Sequence, residues 1–185
     1  MNIFQQTLKF AVTVITSAAI ISGCGDNNTP TVHDKSSTET NTVANKTDNK
    51  IPELKPVDIY LNLEKQDFTT TKNFSSEYGN SWDCKNSSAG IDYTVNVFSD
   101  DVNSVERVRA TAMLNGNENK QIIATKPFLK YVASVPFEGN DPAKFAEWLD
   151  KNFNNDKQSI TISDVKFTIY APTKLLRMLD IEKAK

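Results

Sequence analysis

The sequence predicts an α+β fold, in which an antiparallel β-sheet carries helices on one face, within a single small domain at residues 51–185. Three observations support this prediction. Apolar and polar residues alternate over 91–97 and 105–114, as they do in strands that bury one face. Between 127 and 153 the apolar residues recur at helical spacing instead. Because strands and helices do not alternate along the chain, the sequence does not indicate a parallel sheet.

The first half of the domain is predicted to form one helix and then an antiparallel meander. Pro56 suits the first position of a helix, so we favour a helix over 56–66, although the alternation of apolar residues at 57–63 would also fit a strand. Threonine and aromatic residues predict a strand at 68–74. Further strands are predicted at 81–85, 91–97 and 105–114, with turns at 78–80, 86–90, 99–101 and 115–116.

Two helices are predicted in the second half. Pro127 is expected to begin the first, and Pro136 to end it. Asp141 is expected to cap the second, with Pro142 in its first turn. The apolar stripe of this second helix consists of Phe145, Trp148, Leu149 and Phe153. Such a stripe could line a ligand groove, but stripes of this kind more often face the core.

The last part of the domain is predicted to contain strands. The alternation changes parity between 160–162 and 165–169, which indicates a bulge or a tight turn at Ser163-Asp164. A further turn is expected at 171–173. Residues 175–181 fit either a short helix or a strand, and we favour a strand that forms a hairpin with 165–170. The charged residues 182–185 are expected to fray.

Four residues near the N-terminus, Ile21-Ser22-Gly23-Cys24, resemble the lipobox of bacterial lipoproteins: a branched apolar residue, two small residues and a cysteine. The apolar run before it, Phe10 to Ile21, has 12 residues. An export signal has this length, whereas a membrane-spanning helix needs about 20 residues. The resemblance implies that residues 1–23 are a signal peptide and that Cys24 carries a diacylglyceryl group and an acyl chain such as palmitate. The alternatives are an ordinary signal peptide with an incidental cysteine, or a buried helix.

The resemblance also implies a location in the bacterial cell envelope, because two lipid chains suffice for stable anchoring. An aspartate after the cysteine would favour the inner membrane of a Gram-negative host; Gly25 stands there, which favours the periplasmic face of the outer membrane. Residues 24–50 are then the lipidated cysteine and a polar tether, predicted to be disordered. A flexible chain of that length spans about 25–30 Å.

Composition and charge exclude several function classes. The chain has a formal net charge of −2 with both signs interspersed, so no nucleic-acid partner is expected. Arg107 and Arg109 would share a face of a strand, with Lys120 at a distance, and we interpret them as solvated. The only histidine, His33, lies in the tether, so the domain has none for a metal site or a Ser-His-Asp triad. With Cys24 lipidated, Cys84 has no partner in the chain.

Cys84 is therefore interpreted as a small buried hydrophobe, with an intermolecular disulfide or a reactive thiol as alternatives. Asp100-Asp101 is interpreted as a turn, because adjacent strand residues would point to opposite faces. Glu138 and Asp141 could converge, but Asp141 is better explained as a helix cap. Since the sequence has neither a Gly-rich phosphate loop nor a calcium loop, we expect no cofactor, no metal and no catalytic residue.

These observations favour a membrane-tethered, non-catalytic binding module for an envelope protein or polymer. One version is an inhibitor, because Trp82-Asp83-Cys84 followed by the strand at 91–97 is similar to the aromatic-x-Cys start of membrane-bound lysozyme inhibitors. The partner cysteine of that family is missing here. The alternatives are a structural accessory of an outer-membrane complex and, less favoured, an envelope enzyme that works without histidine.

Overall fold

The computed structural model describes residues 49–75, 79–115 and 119–185, and these contain three helices and seven strands. The helices are α1 (Pro56–Glu64), α2 (Asn119–Ala133) and α3 (Pro142–Asn152). The strands are β1 (Thr69–Ser75), β2 (Gly79–Ser88), β3 (Ile91–Ser99), β4 (Arg107–Leu114), β5 (Lys157–Ile162), β6 (Val165–Thr173) and β7 (Leu176–Lys183). The predicted signal peptide, Cys24, His33 and nearly all of the tether lie outside the described residues.

All seven strands belong to one antiparallel sheet, in the order β1-β2-β3-β4-β7-β6-β5. Two meanders, β1 to β4 and β5 to β7, meet where β4 pairs with β7 in the middle of the sheet. The helices α2 and α3 lie between these meanders in the chain and provide the long connection that the pairing of β4 with β7 requires. The predicted α+β fold, an antiparallel sheet in a single small domain, is confirmed.

Only one face of the sheet packs against the helices. Across the middle of that face Val95 is paired with Ala110, Ala110 with Leu179, and Leu179 with Ile169, and all four side chains are fully buried. The helix residues that join them in one core are Ile59, Leu63, Leu129, Val132, Phe145 and Leu149. We call this side the helix-covered face and the opposite side the open face.

Local sequence signals explain two of the helices. In α1, Pro56 is the first residue and the Asp58 carboxylate accepts a hydrogen bond from the Lys55 N–H at 3.1 Å. In α3, the Asp141 carboxylate accepts from the Lys144 N–H at 2.9 Å, which satisfies one of the donors that a helix start leaves open. The predictions of α1 and α3 are confirmed, and the stripe of α3 faces the core at Phe145 and Leu149.

The predicted start of α2 is wrong, because the helix begins at Asn119 and Pro127 lies inside it. A proline within a helix removes the hydrogen bond to the carbonyl four residues earlier, here that of Ile123. Ile123 is well exposed, so solvent can replace the missing donor there. This polar first half contacts the fold through Ile122, which is half-buried, and Thr125, which is fully buried. The Thr125 hydroxyl donates a hydrogen bond to the Ile122 carbonyl at 2.8 Å.

Several predicted turns are displaced because the strands run further than their apolar alternation shows. The turn predicted at 86–90 contracts to Ala89-Gly90, both with positive φ, and β2 continues to Ser88. Gly79 and Asn80, predicted in a turn, begin β2. Ser99, also predicted in a turn, ends β3. Of the turn predicted at 115–116, only Asn115 is described.

The turn at Ser163-Asp164 is confirmed, and Ser163 has a positive φ of 50°. The turn predicted at 171–173 is wrong. β6 runs through these residues to Thr173, with an irregular register after Tyr170 that accommodates Pro172, and the hairpin turns at Lys174-Leu175. The strand favoured for 175–181 is confirmed as β7, which extends to Lys183 and so includes part of the segment expected to fray.

Candidate binding face

The centre of the open face is a cluster of two arginines and one aspartate, which β4 and β7 bring together. Arg109 is directly paired with Asp180 in the sheet register. Its Nε lies 2.7 Å from Asp180 Oδ1 and its Nη2 lies 2.9 Å from Oδ2, so the two side chains form a bidentate pair. The guanidinium of Arg107 donates to Asp180 Oδ2 as well. Both arginines are half-buried, whereas Asp180 is only 2% exposed.

The electrostatics of this cluster follow from that geometry. Burial alone would raise the pKa of Asp180, because a charged carboxylate is poorly solvated there. The hydrogen bonds from Arg109 and Arg107 outweigh burial and hold the pKa of Asp180 below its usual value. Asp180 is therefore a carboxylate at neutral pH, fixed in place by two cations.

A row of polar residues extends from this cluster across the sheet. It contains one residue from each strand in register: Thr71, Asp83, Asn96, Arg109, Asp180, Thr168 and Ser159. We call this row the polar ladder. The Asn96 side chain donates to Asp83 Oδ1 at 2.8 Å, and the hydroxyls of Ser159 and Thr168 lie 2.9 Å apart. Asn73, on the edge strand, donates to the other oxygen of Asp83 at 2.7 Å.

Large apolar and aromatic side chains flank the polar ladder on the same face. Phe98, Tyr170 and Met178 lie one row of the sheet away from the ladder, and Met113 and Leu176 lie two rows away. Charged residues, including Arg107 and Glu182, share these rows. Met113 is 50% exposed, and the other four are half-buried. Lys157 lies over the Tyr170 ring, with its Nζ 5.5 Å from the ring centre. Aromatic residues, methionine and arginine are the types enriched in protein–protein interfaces.

The structure places Cys84 in the core, as its interpretation as a small hydrophobe requires. Its side chain is fully buried on the helix-covered face, and the Thr70 hydroxyl donates to its Sγ at 3.6 Å. Burial raises the pKa of the thiol to about 11. A neutral thiol without solvent contact is a weak nucleophile.

The other acidic residues considered in the sequence lie apart from the open-face cluster. Asp101 lies in the loop after β3, where Lys50 Nζ approaches it to 2.8 Å and holds its pKa well below the usual range. The turn predicted for this pair is confirmed at Asp100 and Asp101. Asp141 caps α3, and Glu138 lines a shallow hollow of about 380 Å³ together with Glu53, Asp58, Pro136 and Phe137.

Comparison with known proteins does not assign this arrangement to a family. No protein-family model matches the chain, and neither a curated protein nor a solved structure is significantly similar to it. Among the described residues, there is no group of three or more histidine, cysteine or acidic side chains that could hold a metal ion. No helix in the described ranges is long and apolar enough to cross a membrane.

From the sequence alone, Arg107 and Arg109 are interpreted as solvated, and Asp180 is not identified as a candidate. In the sequence Asp180 stands between Leu179 and Ile181, as a solvated polar residue of a half-buried strand also would. Its partner could not be identified without the pairing of β4 with β7, which brings together residues about 70 positions apart. Lys120 belongs to α2, and its side chain lies outside the described part of the structure.

Proposed function

We propose that this protein is a membrane-tethered, non-catalytic binding module of the bacterial cell envelope, and that its ligand binds the open face of the sheet. The ligand is a protein or a polymer of the envelope. The lipobox resemblance at Ile21–Cys24 supports the tether. One observation carries the assignment of the surface: all three described helices pack on one face, whereas the other presents arginine, methionine and aromatic side chains around an ordered polar ladder.

The size of the open face fits this role. Seven strands at a spacing of about 4.8 Å give a width of about 29 Å, and strands of this length rise about 25 Å. The face therefore covers about 700 Å², which is close to the roughly 800 Å² that each partner contributes to a standard protein–protein interface. Such an area can accommodate a folded protein or several units of a polymer.

The polar ladder supports a binding role because its side chains are already held in place by hydrogen bonds. Asp180 fixes both arginines, and Asp83 fixes the amides of Asn73 and Asn96. Ordered side chains lose less conformational entropy when a ligand covers them, so a preorganised face binds more tightly than a flexible one of equal area. This supports a binding role for polar side chains that would otherwise be attributed to solvation alone.

The test is photo-crosslinking in intact cells with a benzophenone amino acid at one of two matched positions. Met113 on the open face is 50% exposed, and Ile123 on α2 is 66% exposed, so both probes are accessible. We expect a discrete crosslinked species from position 113 and none from position 123. Identical products from both positions, or none from position 113, would contradict the assignment of the open face.

A substitution without a crosslinking probe tests whether the open face is needed for binding. Met113→Lys should abolish capture of the partner identified at position 113, because it replaces an exposed apolar side chain of the face by a charge. Ile123→Lys introduces the same charge on the helix layer and should leave capture intact. A constitutive partner present at equal abundance would indicate an accessory subunit of a larger complex rather than a binder of a transient ligand.

The tether has a test of its own. Cys24→Ser should leave the precursor unprocessed and abolish metabolic labelling with a palmitate analogue, because the acylated thiol is gone. Substitution of the buried Cys84 by alanine should leave labelling unchanged. Labelling that survives in Cys24→Ser would refute the lipobox interpretation.

A further inference from the structure

The chain enters the domain at a fixed place. The Ile51 N–H donates to the Val105 carbonyl at 2.8 Å, and the Ile51 side chain is buried. Just before it, Lys50 is paired with Asp101 at 2.8 Å and with Asp100 at 3.6 Å. These contacts hold the start of the domain against the loop between β3 and β4. We call this end of the sheet the tether end.

Two exposed apolar side chains lie at the tether end. Phe74 is 80% exposed and Val102 is 55% exposed. Phe74 is paired with Asn80, and Asn80 with Ser99, so two strand spacings, or about 10 Å, separate Phe74 from the end of β3. Val102 follows in the loop that starts there. An exposed phenylalanine at a strand end costs solvation free energy and contributes nothing described to the core.

We infer that the tether end docks on the lipid surface, with Phe74 and Val102 in the boundary between headgroups and acyl chains. The inference rests on the proposed anchor at Cys24. If that anchor is present, the chain that leaves the domain at Lys50 ends in the same lipid surface, within a tether span of about 25–30 Å. At that effective concentration, even weak partitioning of two side chains keeps the domain docked.

The charges at the tether end indicate the kind of lipid surface. Lys50 is paired there with both Asp100 and Asp101. Because two carboxylates accompany this lysine, we expect docking to depend on the apolar side chains rather than on anionic lipids. Zwitterionic and anionic membranes are therefore expected to bind this end equally.

Docking at this end also fixes the orientation of the domain. The strands run from the tether end to the opposite end, where β2 turns into β3 and Lys174-Leu175 joins β6 to β7. The sheet would then stand upright on the membrane, and the open face would be accessible from the side. A ligand could bind it without competing with the lipid surface.

The test uses the full, lipidated protein reconstituted into phosphatidylcholine vesicles that contain headgroup-quencher lipids. A fluorophore is attached at Asn103→Cys at the tether end or, in a second sample, at Lys174→Cys at the opposite end. Both positions are exposed, whereas Cys84 is buried and should not react. We expect the label at 103 to lose most of its emission and the label at 174 to keep it, with the same result when phosphatidylglycerol is added.

Matched variants identify the side chains responsible. Phe74→Ser with Val102→Ser should restore the emission at position 103, whereas Ile123→Ser, an exposed apolar residue on α2, should not. Equal emission from 103 and 174, or quenching that persists in the double variant, would overturn the inference. Energy transfer between labelled copies that quenching lipids do not affect would overturn it in favour of self-association.

Mass spectrometry of the same preparation distinguishes failure of the inference from failure of the proposed function. If Cys24 carries no lipid, both the proposed anchor and the docking inference are wrong. If Cys24 carries lipid but the label at position 103 is not quenched, only the docking inference is wrong. The crosslinking from position 113 does not depend on either result.

Discussion

The two faces of the sheet are built from alternate residues of the same strands, and different interactions hold their side chains in place. In β7, Leu179 and Ile181 point to the helices and are fully buried among apolar side chains. Asp180, between them, points to the open face and is almost as buried, yet its neighbours are two guanidinium groups. At these three positions of β7, burial comes from apolar packing on the helix-covered face and from paired charges on the open face. The helix-covered face also buries one charge of this strand, Arg177, whose guanidinium lies over the Phe153 ring.

This difference has consequences for how each face responds to its surroundings. Apolar burial is not directional and involves no group that titrates. The order at the centre of the open face depends on hydrogen bonds from two arginines to the Asp180 carboxylate, and these weaken when the carboxylate is protonated and loses its charge. The predictions below test how far this contrast holds.

The largest effect is expected on the helix-covered face. Phe167 is fully buried and lies against Phe145 and Phe137, with ring centres 4.9 and 6.0 Å away. Phe167→Ala should lower the free energy of unfolding by about 3–5 kcal/mol, measured by urea denaturation, because it leaves a cavity that the helices cannot fill. The adjacent Lys166, on the open face, is the control, and Lys166→Ala should change stability by less than about 0.5 kcal/mol. Similar losses in both variants would contradict the contrast between the faces.

A smaller loss is expected at the centre of the open face. Asp180→Asn removes the charge that holds Arg107 and Arg109, and it should cost about 2 kcal/mol, the usual range for hydrogen bonds to a charged group. Asp83→Asn is the matched control, because Asp83 accepts from two neutral amides, and it should cost less. Equal costs would show that the arginines add nothing to the stability of this face.

Asp180→Asn is also expected to change how stability depends on pH. The pKa of Asp180 is depressed in the folded protein below the ordinary value of 3.8, so its stabilisation is present above that value and is lost as the pH falls through the folded pKa. Denaturation midpoints of the natural protein and Asp180→Asn should therefore differ at pH 7 and converge under strongly acidic conditions. A difference that stays constant down to low pH would mean that packing, not charge, is responsible.

Cys84 tests the helix-covered face at the opposite end of the pH scale. Cys84→Ala should cost about 1–2 kcal/mol, since it removes one fully buried side chain of modest size. Burial raises the thiol pKa from 9.0 to about 11, so the neutral form stabilises the fold below pH 9 and that stabilisation is lost as the pH rises toward 11. The stability gap between natural protein and variant should narrow over this interval. A gap that does not narrow would mean that the thiol is solvated.

The contrast between the faces also explains how much the sequence revealed. The buried face is visible in the sequence, because Ile91, Val95 and Val97 alternate and Phe145 and Leu149 recur at helical spacing. These patterns predicted the antiparallel meanders and α3. The polar first half of α2 carries no such pattern. Among its described side chains Ile122, Thr125 and Lys126 contact the rest of the fold, and they do not form an apolar stripe, so the start of the helix was placed at Pro127 instead of Asn119.

The open face is hidden from the sequence for a physical reason. A polar residue on a strand looks the same whether it is solvated or paired across the sheet, and only the strand order distinguishes these states. Arg109 and Asp180 become neighbours because two meanders meet at β4 and β7, and no local signal encodes that long-range pairing. The anchor at Cys24 is a local signal by contrast, and it remains a prediction.

The smallest effect is expected at the edge of the polar ladder. The Ser159 and Thr168 hydroxyls lie 2.9 Å apart, and Thr168 is almost completely buried. Ser159→Ala leaves that buried hydroxyl without its partner and should cost about 1 kcal/mol in denaturation experiments. Adding Thr168→Val removes both polar groups and should recover most of the loss, because an apolar pair of similar shape needs no partner. If Ser159→Ala costs nothing, water replaces the serine, and the ordered part of the open face ends at Asp180 instead of extending to β5.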